Sequence, residues 1–154
     1  MTARRRPDGF LMHDSWRADV VLARRFELAG GVRAAHTARR TVAEMLRPRL
    51  GARELHDLEV LVSEVVTNAV RHAGAGPDGT IVVHVAMSSD CLRIEVCDQG
   101  PGFTPPDVPR RRRDGGGNGL VLLDRLSSAW GVAGDDGTCV WFERALDPGT
   151  AQLR

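Results

Sequence analysis

From Glu54 to Ala73 the chain places apolar residues at helical spacing, and the second half reads Leu61-Val62-Ser63-Glu64-Val65-Val66-Thr67-Asn68-Ala69-Val70-Arg71-His72-Ala73. Glu64 and Asn68 are separated by one helical turn and stand one above the other on a helix face. A carboxylate and a carboxamide on a helix that otherwise buries itself each need a partner. Hydrated magnesium carrying a phosphate would suit both: Asn68 supplies an oxygen ligand and Glu64 takes up a proton. Read alone, the pair fits a solvated helix edge equally well, since such residues are usually exposed.

A second motif changes the balance. Leu92-Arg93-Ile94-Glu95-Val96-Cys97 alternates apolar and polar residues as a half-buried strand does, and runs into Asp98-Gln99-Gly100-Pro101-Gly102-Phe103. Glycines at Gly100 and Gly102 let a flat ligand approach the backbone, and the Asp98 carboxylate can accept a hydrogen bond from an exocyclic amine such as that of adenine. The bland alternative is a Gly-Pro turn after a strand. The third motif, Gly115-Gly116-Gly117-Asn118-Gly119-Leu120, opens an apolar helical segment. Glycines there expose backbone N–H groups at the positive end of a helix, which suits a polyphosphate. A flexible glycine loop is the alternative for this motif too.

Taken in order, Glu-x-x-x-Asn on a helix, Asp-x-Gly-x-Gly after a strand and Gly-x-Gly before a helix resemble the ATP-binding fold shared by DNA gyrase, heat-shock chaperones, sensor histidine kinases and mismatch-repair ATPases. Within that superfamily the chain is most similar to the small anti-sigma-factor serine kinases, over roughly residues 20–144. The resemblance implies Glu64 as general base, Asn68 as magnesium ligand and Asp98 as adenine reader. It implies that Gly100, Gly102, Gly117 and Gly119, with Leu120, shape the nucleotide pocket. The Asp136-Gly137-Thr138 turn resembles the family's Gly-Thr segment, in which the Thr138 hydroxyl helps hold adenine through Asp98 and water. Arg71 follows Asn68 on nearly the same face, where its guanidinium could reach phosphate or buttress the site, whereas His72 reads as packing or capping. ATP and Mg2+ are the implied cofactors. A sigma factor and an antagonist protein carrying the acceptor serine are the implied partners, and several members of the family form homodimers.

The chain contains no lysine; its basic residues are all arginine. That excludes a Walker-type phosphate loop, the strand lysine of eukaryotic-type kinases and Schiff-base chemistry. ATP would have to be handled by magnesium, backbone amides and arginine. A net charge of +1 and 5% aromatic residues speak against a dedicated nucleic-acid binder. No apolar run reaches membrane length and Arg4-Arg5-Arg6 lacks a following signal-peptide core, so no membrane association and a cytoplasmic location are expected. Cys91 and Cys97 sit about 20 Å apart along one strand, too far to bridge. Cys97 and Cys139 can fall on neighbouring strands, but in a reducing compartment they read as plain core residues. With no Cys-x-x-Cys, zinc is not expected.

Residues 1–19 read as a flexible extension, 20–146 as the ATP-binding domain and 147–154 as a tail. Within the domain, a strand over 20–28, helices over 32–46 and 54–73, strands over 80–88 and 91–98, a helix over 118–127 and strands over 129–133 and 138–144 are expected. Blocks of helices and strands, rather than strict alternation, indicate an α+β two-layer sandwich, with a mixed, largely antiparallel sheet and helices on one face. Between the adenine motif and the third helix lies a proline-rich loop bearing Arg110-Arg111-Arg112-Arg113, which could neutralise a γ-phosphate or simply be a solvated loop. Trp16, Trp130 and Trp141 read as packing residues. A protein serine kinase that sequesters a sigma factor is the leading expectation; a binding module without phosphoryl transfer is the alternative. A sensor histidine kinase fits less well, because His36 has no acid beside it, and a gyrase-like motor is not expected at this length.

Overall fold

The computed structural model describes residues 4–5, 11–12, 19–73, 79–100, 118–133 and 137–147. Its elements are β1 (Arg4–Arg5), β2 (Leu11–Met12), β3 (Leu22–Ala29), α1 (Ala34–Leu46), α2 (Ala52–Ala73), β4 (Thr80–Met87), β5 (Cys91–Asp98), α3 (Asn118–Leu126), β6 (Ala129–Ala133) and β7 (Thr138–Ala145). The two-residue strands β1 and β2 pair with each other, inside the segment read from sequence as an extension. The other five strands form one sheet in the order β3-β4-β5-β7-β6. All four pairings in that sheet are antiparallel, where a mixed sheet had been allowed. The α+β two-layer architecture is as expected.

Alternation along the strands sends one set of side chains toward the helices. Ile81, Val83, Val85 and Met87 of β4, Leu92, Ile94 and Val96 of β5, and Val140 and Phe142 of β7 form that face, all buried. Helix α2 meets it with Leu58, Leu61, Val62, Val65, Val66 and Ala69, and α1 with Ala34, Ala38, Val42 and Leu46. The i, i+4 repeat of small residues at the start of α1 lets that helix lie close to its neighbours. Helix α2 begins where the Gly51 N–H donates to Glu54 Oε2 at 3.2 Å, one half of a capping box. The same end of the helix is tied to the sheet by the Arg144 guanidinium, which donates to Asp57 Oδ2 at 3.0 Å.

The rear face of the sheet departs from the simple picture of a solvated surface. Arg93 is 1% exposed and Glu95 0%. The Arg93 guanidinium donates to Glu143 Oε1 at 2.7 Å, lies 3.7 Å from Glu95 Oε2 and stacks 4.2 Å from the Trp141 ring centroid. Paired charges and a cation–π contact offset part of the cost of burying an ion. Gly131 makes room for the indole: a β-carbon there would stand 2.8 Å from the Trp141 ring.

Candidate nucleotide site

Apolar residues of α2 turn to the core, and this leaves Glu64 and Asn68 half-buried on its flank. The first turn of α3 comes down onto that flank. A β-carbon at Gly119 would lie 2.8 Å from Asn68 Nδ2, 3.3 Å from Glu64 Oε2 and 3.4 Å from Glu64 Cβ. Only glycine, with no side chain, admits so close an approach without displacing the carboxamide. The contact brings two motifs, 55 residues apart in numbering from Glu64 to Gly119, into one place. It also sets the positive end of the α3 dipole beside the Glu64 carboxylate, and a helix N-terminus of this kind is chemically suited to a phosphate. Leu120, the next residue, packs half-buried against the core.

The Asp-x-Gly motif is built at the end of the central strand, β5. Asp98 closes β5 on the helix-facing side, in register with Thr138 at the start of β7. The Gly100 N–H donates to Asp98 Oδ1 at 2.7 Å, which fixes the carboxylate orientation. The Thr138 hydroxyl, buried, donates to the Gly100 carbonyl at 3.3 Å. Asp98, Gly100 and Thr138 are thus one hydrogen-bonded unit, with the Thr138 hydroxyl engaged by the glycine backbone. Gly137 adopts φ +127°, a conformation that L side chains rarely take, and turns the chain tightly over Asp98.

Of the remaining sequence candidates, Arg71 is exposed near the end of α2. Gly102, Gly117, Arg110 to Arg113, Trp16 and the His72 side chain lie outside the described residues. Trp130 and Trp141 are half-buried, as packing residues should be. One expectation is corrected. Cys97 and Cys139 are not separate core thiols: their sulfurs are bonded, because β5 and β7 pair these positions directly. The alternation rule that found the strands carries no register, so the pairing was out of reach.

Glu64 and Asn68 offer hard oxygen donors, and that pair fits Mg2+ held through one or two protein ligands and phosphate. Gly119, itself buried, packs directly against both. An open cleft elsewhere, between Gly30, Gly31 and the start of α1, is lined by Glu27, Arg33 and Thr37 among others.

Fold and site together define a nucleotide-handling α+β domain, and the chain belongs to the histidine kinase-like ATPase domain family, whose model matches residues 29–144. Among characterised relatives, the serine-protein kinase RsbW of Bacillus pumilus is 32% identical over 111 residues, 61% of this chain and 67% of that protein. Among solved structures, the RsbU and RsbW domains of Rv1364c from Mycobacterium tuberculosis superpose with a TM-score of 0.58 at 25% identity, over 81% of this chain and 33% of that longer one. The histidine kinase domain of a blue-light activated kinase from Erythrobacter litoralis shares the fold, at a TM-score of 0.51 and 24% identity, over 82% of this chain and 71% of that one. No helix among the described residues is long and apolar enough to cross a membrane.

Proposed function

We propose that the protein is an ATP- and magnesium-dependent serine kinase acting on an antagonist protein, and that it also sequesters a sigma factor in the cytoplasm. The observation that carries the reading is the seating of Gly119 on Glu64 and Asn68, which unites a base, an oxygen donor and a helix N-terminus. The named relatives, serine-protein kinases, support the same chemistry.

In this reading Asp98 accepts from the adenine amine, held in place by the Gly100 N–H. Asn68 would hold magnesium, which spreads the negative charge of the triphosphate. The backbone N–H groups at the start of α3 bind phosphate oxygens. Glu64 receives the proton of the acceptor serine as its oxygen attacks the γ-phosphorus, and ADP departs. With no lysine in the chain, cationic help comes from arginine, Arg71 being the described candidate.

The test is transfer of label from γ-labelled ATP to a candidate antagonist, with and without magnesium. Labelled phosphoserine that disappears on chelation is the expected result. ATP binding and sigma-factor capture with no label on any antagonist would replace the kinase with a module that acts by sequestration alone.

A further inference from the structure

Cys97 and Cys139 are register partners on β5 and β7, with Cα atoms 4.0 Å apart and sulfurs joined. One residue further along the same pairing stand Asp98 and Thr138. Because side chains alternate, the sulfurs lie on the rear face while Asp98 and Thr138 face the helices. The bond therefore acts on the adenine end through the backbone rather than by filling the pocket. The sequence between the two cysteines includes Gly100, Gly119 and all of α3. Glu95, Cys97 and Cys139 also bring their ligand atoms within 4.8 Å of one another, a spacing a metal ion could use. With the sulfurs bonded to each other neither is a thiolate, so the group is read as thiol chemistry.

We propose that Cys97 and Cys139 form a reversible dithiol–disulfide site whose oxidation fixes the Asp98–Thr138 end of the sheet and tightens adenine-nucleotide binding. The nucleotide part rests on the function proposed above. In reducing compartments, disulfides are transient and redox-sensing rather than permanent, which suits a bond beside a ligand site.

The co-reactant is a low-molecular-weight disulfide such as glutathione disulfide. Cys97 is half-buried whereas Cys139 is 6% exposed, so Cys97 reacts first. Glu95 Oε1, 3.3 Å from Cys97 Sγ, accepts the hydrogen bond of the reduced thiol. The Cys97 thiolate attacks one glutathione sulfur, forming a mixed disulfide and expelling a glutathione thiolate. The Cys139 thiolate then displaces the second glutathione and closes the Cys97–Cys139 bond. Two electrons pass from the protein pair to glutathione disulfide, and the two thiol protons end on the two glutathione molecules released. Closing the bond preorganises Asp98, so less ordering remains to be done when nucleotide binds.

The experiment compares the full chain after glutathione disulfide with the full chain after dithiothreitol. Thiols are counted by alkylation under denaturing conditions and mass spectrometry, amide exchange is followed at 98–100, and ADP is titrated calorimetrically. Oxidised protein should show one alkylated cysteine, Cys91, and reduced protein all three. Exchange at 98–100 should slow on oxidation, and ADP should bind about threefold to tenfold more tightly. The Cys97→Ser, Cys139→Ser double variant should bind ADP equally in both buffers, at the reduced wild-type affinity, while Cys91→Ser keeps the difference. Three free thiols after glutathione disulfide would overturn the site. A closed bond with unchanged exchange at 98–100 would overturn its coupling to Asp98. Absence of ADP binding in both forms would sink the nucleotide reading, and the thiol count and amide exchange would still decide the redox site.

Discussion

Gly137 lies over the backbone of Asp98: a β-carbon at 137 would collide with the Asp98 carbonyl oxygen and come within 3.4 Å of the Gln99 Cα. With φ at +127°, the position excludes other residues on conformational grounds as well. Gly137→Ala should therefore destabilise the fold by about 1–3 kcal/mol, seen as a lower urea midpoint at unchanged slope. A midpoint equal to wild type would show that the turn relaxes freely.

Asp98→Asn keeps the size of the side chain but can turn a donor toward the adenine amine. Leaving such a buried pair mismatched costs about 1–3 kcal/mol, a loss of roughly tenfold to a hundredfold in ATP affinity. Calorimetric titration with a non-hydrolysable analogue measures it, and an unchanged constant would remove Asp98 from the adenine role.

Gly119→Ala separates helix stability from ligand binding. Alanine favours an α-helix over glycine by about 1 kcal/mol, so the folded state should hold or gain stability. The new β-carbon, 2.8 Å from Asn68 Nδ2, must push the carboxamide aside. ATP affinity should fall about tenfold in magnesium and much less in chelator, since the displaced group is the proposed ion ligand. Equal losses in both buffers would point to a steric block of nucleotide instead.

Glu64→Gln keeps shape and hydrogen bonding and removes the proposed base. Phosphoryl transfer should drop by roughly 10²–10⁴ while ATP binding persists. Wild-type transfer rates in the variant would show that another group takes the serine proton.

Burial pushes the Cys91 thiol up to about 12, with Glu143 and Asp90 adding to the shift and Arg93 opposing it. Between the ordinary thiol value of 9.0 and about 12, the unfolded thiol ionises while the folded one stays protonated. The unfolded state then holds fewer protons, so stability falls as pH rises through that window. With Cys97 and Cys139 bonded and no tyrosine or lysine in the chain, few other groups titrate there. Urea midpoints of oxidised protein from about pH 9 to 12 should decline in wild type and flatten in Cys91→Ser. Parallel declines in the two proteins would assign the effect elsewhere.

Strands β4, β5, β6 and β7 match their expected spans to within a residue, because period-two alternation and flanking turn residues mark them clearly. Helix starts were less legible. Val32 counted toward the periodicity of α1, yet it is fully exposed on the turn made by Gly31, and the helix begins at Ala34. Helix α2 begins at Ala52, ahead of the expected Glu54, because Glu54 is its capping residue and not its first. The three motifs were legible one by one and the resemblance grouped them, but the approach of Gly119 to Asn68 is a contact between helices that no local pattern encodes. The rear face misleads for the opposite reason. Alternation marks Arg93 and Glu95 as the polar side of β5, and polar usually means wet, whereas ion pairing and Trp141 make burial tolerable.

The sheet order leaves β3 and β6 on the outside. An edge strand offers unsatisfied N–H and C=O groups to any passing extended chain. Along β3, Arg24, Arg25 and Glu27 are exposed, charges that an incoming strand would have to strip of water. At the other margin β6 has only five residues, too short a template for a long ladder. Centring Asp98 on β5 thereby also leaves the described sheet with two poor margins for fibril growth, so neighbouring copies are discouraged from joining sheet to sheet.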